Sequence, residues 1–393
     1  MSTLFTPENH EPLVELGWDE RWVRDRIEAI ADDAEAAVSA SGLWPEHPLD
    51  AEGGEPARSG LYIGAAGIVW GLHRLGRARP ELIRDRHARY LEAPDWPGAV
   101  PGYLIGEAGI LLVSYLLEPS DETADALVRA VAANRLNETN ELLWGAPGTM
   151  LAALAMHRLT GEERWSALWR SSADTLWERW RATGSGTHLW TQLLYGRADA
   201  LVGAGHGFAG AAAALLAGRH LLDPDRNDAL DARIVATATA LAVRQDGLAN
   251  WPPVAGGELS PSRGPIRVQW CHGAPGMITS LAAAAPGDGA FTQLLVEGGE
   301  LAWRSGPLSK GPGICHGTAG NALAFLALHR RTKHERWLKR ARRFAVHALV
   351  QVERYREQHD AGRHSLWTGD IGTAVVAQSC LEGRAGVPSL DWV

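Results

Sequence analysis

Two short segments of the sequence, residues 271–276 and 315–320, each carry a cysteine followed by a histidine and a Gly-x-x-Gly. They contain two of the three cysteines in the chain, Cys271 and Cys315. Thiolate and imidazole are the ligands that zinc prefers, so the repeated pattern predicts a zinc site. The alternative is a pair of buried cysteines that only pack in the core.

The number of available ligands indicates what kind of zinc site this is. Two thiolates and one imidazole make three protein ligands, whereas zinc takes four. A site with three protein ligands is the catalytic type, because its fourth position stays open for water or substrate. A structural site with four protein ligands, in which His272 or His206 is the fourth, remains the alternative.

The Gly-x-x-Gly element occurs seven times along the chain, which indicates an internal repeat. A short apolar run rich in Ala and Leu follows each copy, as expected of a helix that is buried on both sides. The glycines allow the chain to turn tightly before each of these helices. The seven copies begin at Gly64, Gly106, Gly145, Gly207, Gly273, Gly317 and Gly369.

Longer amphipathic segments lie between the apolar runs. They place apolar residues three or four apart, as in a helix with one wet face, at residues 23–38, 165–180 and 337–355. This alternation predicts an all-α fold, an α/α toroid of seven inner and seven outer helices. We expect one domain over residues 1–393, because no single repeat can bury its own apolar face.

The spacing of the repeats is uneven, and the longer steps precede the fourth and fifth units. These steps leave room for insertions. Residues 184–187 and 252–265 are rich in Gly, Pro and Ser and are expected to be the corresponding loops.

Aligning the repeats on their first glycine brings polar residues into equivalent positions. We call the residue before that glycine position −1 and the residue before it position −2. Position −1 is histidine in three consecutive units, at His206, His272 and His316, and position −2 is cysteine in the last two of them. Equivalent positions in a toroid lie at the same end of neighbouring inner helices. We therefore expect these side chains to face one mouth of the ring.

Two charged residues lie near these positions in the alignment. Glu141 is four residues before Gly145, and Arg267 is four residues before Cys271. Each is either a part of the same site or an ordinary charge at a helix end or in a loop.

Composition and charge exclude several other classes of protein. A net charge of −8 gives no basic surface for nucleic acid. Three cysteines without a C-x-x-C do not make a secreted disulfide framework, so we expect reduced thiols and a cytoplasmic location. Residues 1–18 are polar and acidic, unlike a signal peptide, and the longest apolar stretch, residues 207–218, is too short to span a bilayer. Neither nucleic acid nor a membrane is expected as a partner.

These motifs resemble the lanthipeptide cyclase family, the LanC and LanC-like proteins. The resemblance extends through all seven repeats, and its most specific parts are Trp270-Cys271-His272-Gly273, Cys315-His316-Gly317 and Gly205-His206-Gly207. Residues 140–145 and 365–369 also resemble family blocks. The resemblance implies the α/α toroid and a catalytic zinc.

The resemblance further implies a ligand set and an acid/base. Zn²⁺ would be bound by Cys271, Cys315 and His316. His206 would act as the acid/base.

Three further residues are candidates for the active site. Glu141 stands where many members of the family have Asp, and Arg267 would be an active-site cation. Many peptide cyclases have Tyr after the first ligand cysteine, where this chain has His272, which we include among the candidate catalytic residues. His272 and Glu141 are closer to the LanC-like branch found in eukaryotes, which is similar to a glutathione-adding enzyme.

The reaction that the resemblance implies forms a thioether. A zinc-bound thiolate would attack the β-carbon of dehydroalanine or dehydrobutyrine, and His206 would supply the proton that the α-carbon needs. We expect ring closure within a dehydrated precursor peptide, giving lanthionine or methyllanthionine. Glutathione as the source of the thiol is the alternative, and a dehydratase partner is left open.

Two further classes of function remain as alternatives. An α/α toroid also carries sugar hydrolases, which need two opposed carboxylates, and Glu107, Glu141 and Asp370 lie near repeat turns. That function leaves the cysteines unexplained. A non-catalytic scaffold stapled by zinc that binds peptides or glutathione is the other alternative.

Overall fold

The computed structural model describes residues 4–50, 58–184, 186–260, 262 and 264–391. These residues fold mainly into α-helices. The fourteen helices within the described ranges are α1 (Glu20–Ala36), α2 (Ala65–Arg74), α3 (Arg86–Glu92), α4 (Glu107–Leu117), α5 (Asp121–Asn134), α6 (Ala146–Thr160), α7 (Glu163–Arg179), α8 (Phe208–Ala217), α9 (Pro224–Leu241), α10 (Ala274–Leu281), α11 (Gly289–Ser305), α12 (Thr318–Thr332), α13 (Glu335–His359) and α14 (Asp370–Glu382).

The even-numbered helices form a closed inner ring. Each begins directly after the first glycine of a repeat. Each packs against the next, from α2 through α4, α6, α8, α10 and α12 to α14, and α14 packs against α2. The seven Gly-x-x-Gly elements therefore mark the seven inner helices, as the sequence predicts.

The odd-numbered helices form the outer ring. For example, α13 packs against both α12 and α14, and α7 packs against α6. The first helix, α1, packs against the last one, α14. The amphipathic pattern predicts that the apolar face of α1 is buried, and Val23, Ile27, Ile30 and Ala34 are indeed buried. The predicted α/α toroid of seven inner and seven outer helices is confirmed.

The last position of each Gly-x-x-Gly is glycine because there is no space for a side chain. A Cβ at Gly276 would overlap the carbonyl oxygen of Trp270, and one at Gly320 would overlap the carbonyl oxygen of Ile314. The same clash, with the residue three before the first glycine, recurs in all seven repeats. Each inner helix therefore passes so close to its own turn that no side chain fits between them.

The insertions before the fourth and fifth inner helices form three short antiparallel hairpins. The sequence predicted loops at 184–187 and 252–265 and did not predict these hairpins. The hairpins pair β1 (Arg181–Ala182) with β2 (His188–Leu189), β3 (Gln192–Leu194) with β4 (Arg197–Asp199), and β5 (Val243–Gln245) with β6 (Leu248–Asn250). Three short 3₁₀ segments complete the regular structure of the described residues, at Pro7–Asn9, Pro80–Leu82 and Arg219–Leu221.

Buried apolar side chains from both rings form one continuous core. That residues 1–393 make a single domain stays a prediction, and this core is consistent with it. Within the described ranges, no helix has the length and apolar character that crossing a membrane requires. The cellular location stays a prediction.

Candidate metal centre and active site

Backbone hydrogen bonds join the position −2 residues of successive repeats around one mouth of the toroid. The N–H of Cys271 donates to the carbonyl of Cys315 at 3.0 Å, and the N–H of Cys315 donates to that of Trp367 at 2.9 Å. Trp367 donates in turn to Tyr62 at 3.1 Å. This ladder fixes the turns that precede the inner helices, so residues far apart in sequence lie side by side.

The ladder brings Cys271, Cys315 and His316 together. Their ligand atoms, two sulfurs and one imidazole nitrogen, all lie within 4.8 Å of one another. Both cysteines are buried and His316 is partly buried. Neither His206 nor His272 belongs to this group of ligand atoms. Two soft thiolates with one imidazole suit zinc, and three protein ligands leave a fourth position for another molecule.

The sulfurs of Cys271 and Cys315 hydrogen-bond to each other, and this bond moves the pKa values of the two thiols in opposite directions. A hydrogen bond from Cys315 lowers the pKa of the Cys271 thiol, and His316 lowers it further. Burial acts in the opposite direction, but the pKa stays well below its ordinary value. The same hydrogen bond and burial raise the pKa of Cys315 well above its ordinary value. Cys271 and Cys315 would release their thiol protons on holding a divalent cation, because a metal binds the thiolate form.

Two polar side chains that sequence reasoning missed bind the sulfurs. The Gln269 side-chain amide donates to Cys271 Sγ at 2.9 Å. The Tyr62 hydroxyl hydrogen-bonds to Cys315, and its ring stacks on Trp367 with centroids 6.0 Å apart. Tyr62 occupies position −2 of the first repeat, so the alignment itself contained this signal.

His206 is held by a buried carboxylate. Its Nδ1 lies 2.8 Å from Oε2 of Glu141, which is fully buried. The carboxylate also accepts the backbone N–H groups of Leu143 at 3.0 Å and Trp144 at 2.6 Å. With Nδ1 bound to Glu141, Nε2 on the other side of the ring is the atom available in the mouth.

The charge of Glu141 determines the proton affinity of His206. Burial acts to lower the pKa of His206, but the hydrogen bond and charge of Glu141 outweigh it, with a contribution from Cys271. The pKa of His206 is therefore raised above its ordinary value. A protonated imidazole near neutral pH can act as a general acid.

Arg267 and His272 line a cleft of about 510 Å³ between the β3–β4 hairpin and the loop after β6. Arg267 is exposed. Burial lowers the pKa of His272. The charges of Arg267 and His206 act in the same direction, and the charge of Cys271 acts in the opposite one. His272 is therefore neutral near pH 7, and the nearby cation is Arg267.

Asn250 holds the turn that carries Arg267 and His272. Its Nδ2 donates to the carbonyl of Arg267 at 3.1 Å, and its Oδ1 accepts the N–H of Ala274 at 2.9 Å. Gly273 has φ 111°, a conformation that side chains rarely adopt. The glycine after the histidine is therefore a requirement of the turn.

The carboxylates considered for sugar hydrolysis are occupied. Glu107 Oε2 lies 2.9 Å from His87 Nε2, and Asp370 accepts from Arg356 at 2.8 Å. Glu141 is bound to His206 and to backbone N–H groups. This arrangement lacks the pair of available carboxylates that glycoside hydrolysis needs.

The third cysteine, Cys380, lies in α14 and is fully buried. Burial raises the pKa of its thiol to about 12. A neutral thiol in the core is a packing group and is separate from the sulfurs of the mouth.

The chain belongs to the lanthionine synthetase C-like family, whose family model matches residues 55–388. Among its relatives, glutathione S-transferase LANCL1 of Danio rerio is 27% identical over 300 residues, covering 72% of this chain and 68% of that protein. LanC-like protein GCL1 of Arabidopsis thaliana is 40% identical over 114 residues, which are 27% of this chain and 25% of that protein.

Among solved structures, nisin cyclase has the same toroidal fold. It superposes with a TM-score of 0.64 at 16% sequence identity, covering 93% of this chain and 96% of that chain. At this level of identity the likeness concerns the fold.

Proposed function

We propose that the protein forms thioethers by adding a thiolate to dehydroalanine or dehydrobutyrine, with zinc bound by Cys271, Cys315 and His316. The observation that carries the proposal is the three ligand atoms within 4.8 Å of one another at the mouth of the toroid. His206 belongs to the same ring of turns and has its own buried partner, Glu141. The candidate metal ligands and the candidate acid/base thus both belong to the turns at this mouth, which supports the proposal.

Zinc, when bound, would hold a substrate thiol as a thiolate at neutral pH. Cys271 and Cys315 would donate strongly and so keep that thiolate nucleophilic. Gln269 and Tyr62 bind these sulfurs, orient them and withdraw part of their charge.

His206 would complete the addition. The thiolate attacks the β-carbon, a C–S bond forms, and the electrons of the C=C bond move into an enolate. His206 gives its Nε2 proton to the α-carbon, and Glu141 stabilises the imidazolium before the transfer. Arg267 is the cation that would stabilise the enolate oxygen. His272, neutral and beside Arg267, would position the substrate at the end of the cleft.

The thiol has two candidate sources. The first candidate is a cysteine of the same dehydrated peptide, which gives a lanthionine ring. The second is glutathione. The observation in its support is the 27% identity with a relative named as a glutathione S-transferase. In both cases a reaction that dehydrates Ser or Thr must supply the substrate, so a dehydratase is the class of partner to expect.

Mass spectrometry on a dehydrated peptide that contains cysteine tests the proposal, with and without glutathione. Ring closure leaves the mass unchanged and blocks alkylation of the thiol. Glutathione addition leaves the thiol free and adds the mass of glutathione. If the zinc-loaded protein produces neither product, the scaffold alternative replaces the enzyme.

A further inference from the structure

The tip of the β3–β4 hairpin places a large aromatic side chain in a strained conformation. Tyr195 and Gly196 form the two-residue turn, with φ values of 52° and 73°. Such turns favour Asn-Gly, and a bulky residue at positive φ is uncommon. Strain of this kind persists where the surroundings or the function require it.

Packing in the core does not account for Tyr195, since 71% of the residue is exposed. Its ring meets that of His206 edge to face, with centroids 6.0 Å apart. It meets Trp144 in the same way at 6.5 Å. The hairpin therefore carries an exposed aromatic ring to the proposed general acid.

Trp144 belongs to the mouth by its place in the repeat. It occupies position −1, which is His206 in the next unit, and its backbone N–H is bound to Glu141 at 2.6 Å. Its ring also contacts that of Trp96, with ring centroids 5.2 Å apart. Trp96, Trp144 and Tyr195 thus form a row of aromatic rings that ends at His206.

We propose that Trp144 and Tyr195 form an apolar wall that binds the unsaturated side chain of the dehydrated residue beside His206. This inference rests on the proposed function, which it extends to recognition of the substrate. The C=C group of a dehydroamino acid is flat and apolar and can pack against aromatic rings. The hydroxyl of an unmodified Ser or Thr would lose hydration against the faces of these rings, which offer it no strong hydrogen bond.

The wall therefore selects dehydrated residues over their hydroxylated precursors. The cleft of about 510 Å³ lies on the Arg197 and Asp199 side of the same hairpin, where it offers space for neighbouring residues of a peptide. Tyr195 of the wall and Arg197 and Asp199 of the cleft belong to this one hairpin, so one structural element would position both parts of a substrate.

The Tyr195→Asn variant tests the wall without removing the turn. Asn-Gly is favoured in this hairpin, so the variant should fold and keep its zinc. Two controls accompany it: Tyr195→Phe, which keeps the ring, and Leu193→Asn, which changes another exposed residue of the hairpin, 45% exposed. The probes are a short fluorescein-labelled peptide with one dehydroalanine and a twin with serine at that position, both without cysteine.

Fluorescence anisotropy then measures binding without any turnover. We expect the wild type and both controls to prefer the dehydroalanine peptide. Tyr195→Asn should bind it about fivefold more weakly and lose the preference over serine. Equal binding of the two peptides by the wild type, or an unchanged preference in Tyr195→Asn, overturns the wall. A wild type that shows the preference but forms no thioether from a cysteine-containing peptide overturns the proposed function alone.

Discussion

Glu141 and His206 are 65 residues apart in sequence, yet the buried carboxylate of the first holds Nδ1 of the second at 2.8 Å. This pair fixes which nitrogen of His206 faces the mouth. It also raises the proton affinity of the imidazole in spite of burial. The two properties that a general acid needs, orientation and a suitable pKa, come from one neighbour.

We predict that His206→Ala keeps its zinc and loses thioether formation by roughly 10²-fold or more, the usual scale of general acid catalysis. Zinc analysis and product assays on the same preparation measure both effects. Loss of zinc together with activity would make His206 a ligand and the site structural.

The pH dependence follows from the raised pKa of His206. A general acid is active while it is protonated, so the rate should fall as the pH rises through that raised value. The bond to Glu141 should likewise stabilise the fold below the ordinary histidine pKa of about 6.5 and lose this effect as the pH rises through the raised value. In Glu141→Gln the falling limb of the rate profile should move to lower pH. A limb that stays in place would show that another group limits the rate.

Metal content separates the mouth cysteines from the core cysteine. We expect about one zinc per chain. Cys271→Ala and Cys315→Ala should each lose most of it, because each removes one of three ligands, and Cys380→Ala should retain it. Metal analysis by mass spectrometry, with circular dichroism to confirm folding, checks this. A folded wild type that purifies without zinc and takes up none would contradict it.

The hydrogen bond to Cys271 Sγ predicts a smaller effect on the metal. In Gln269→Ala the fold should persist, but the affinity for zinc should fall about tenfold, as is typical when a partner of a metal ligand is removed. In the cobalt-loaded variant, the sulfur-to-cobalt absorption band should shift as well. Unchanged affinity and an unchanged spectrum would mean that this amide only packs against the sulfur.

The repeat glycines predict where the fold is vulnerable. Gly320→Ala should destabilise the protein by about 3 kcal/mol, because the new Cβ overlaps the carbonyl of Ile314. Gly287→Ala is the matched control, since a Cβ there meets nothing within 4 Å. Thermal unfolding of both variants measures the difference. Equal melting temperatures would show that the turn relaxes freely.

The repeat made the toroid predictable from sequence. The glycine positions locate the inner helices because their spacing reflects a backbone clash that any side chain would cause. The same register placed His206, His272 and His316 at one mouth and contained Tyr62 at position −2, although its bond to a sulfur depends on the three-dimensional path of the ladder.

The insertions were harder to predict. Asp-Gly is a favoured two-residue hairpin turn, so Asp246-Gly247 could have indicated the β5–β6 hairpin. Tyr195 gave no such signal, because tyrosine is a poor choice for a turn. Its position beside His206 arises from tertiary contacts, which local propensity does not encode.

The proposed metal centre has three protein ligands and one exchangeable position. X-ray absorption at the zinc edge counts the sulfur neighbours, which lie at about 2.3 Å from zinc. We predict two sulfurs in the zinc-loaded protein and three after addition of a non-reactive thiol peptide. A count that stays at two, with a fourth ligand from the protein in both states, would contradict the account.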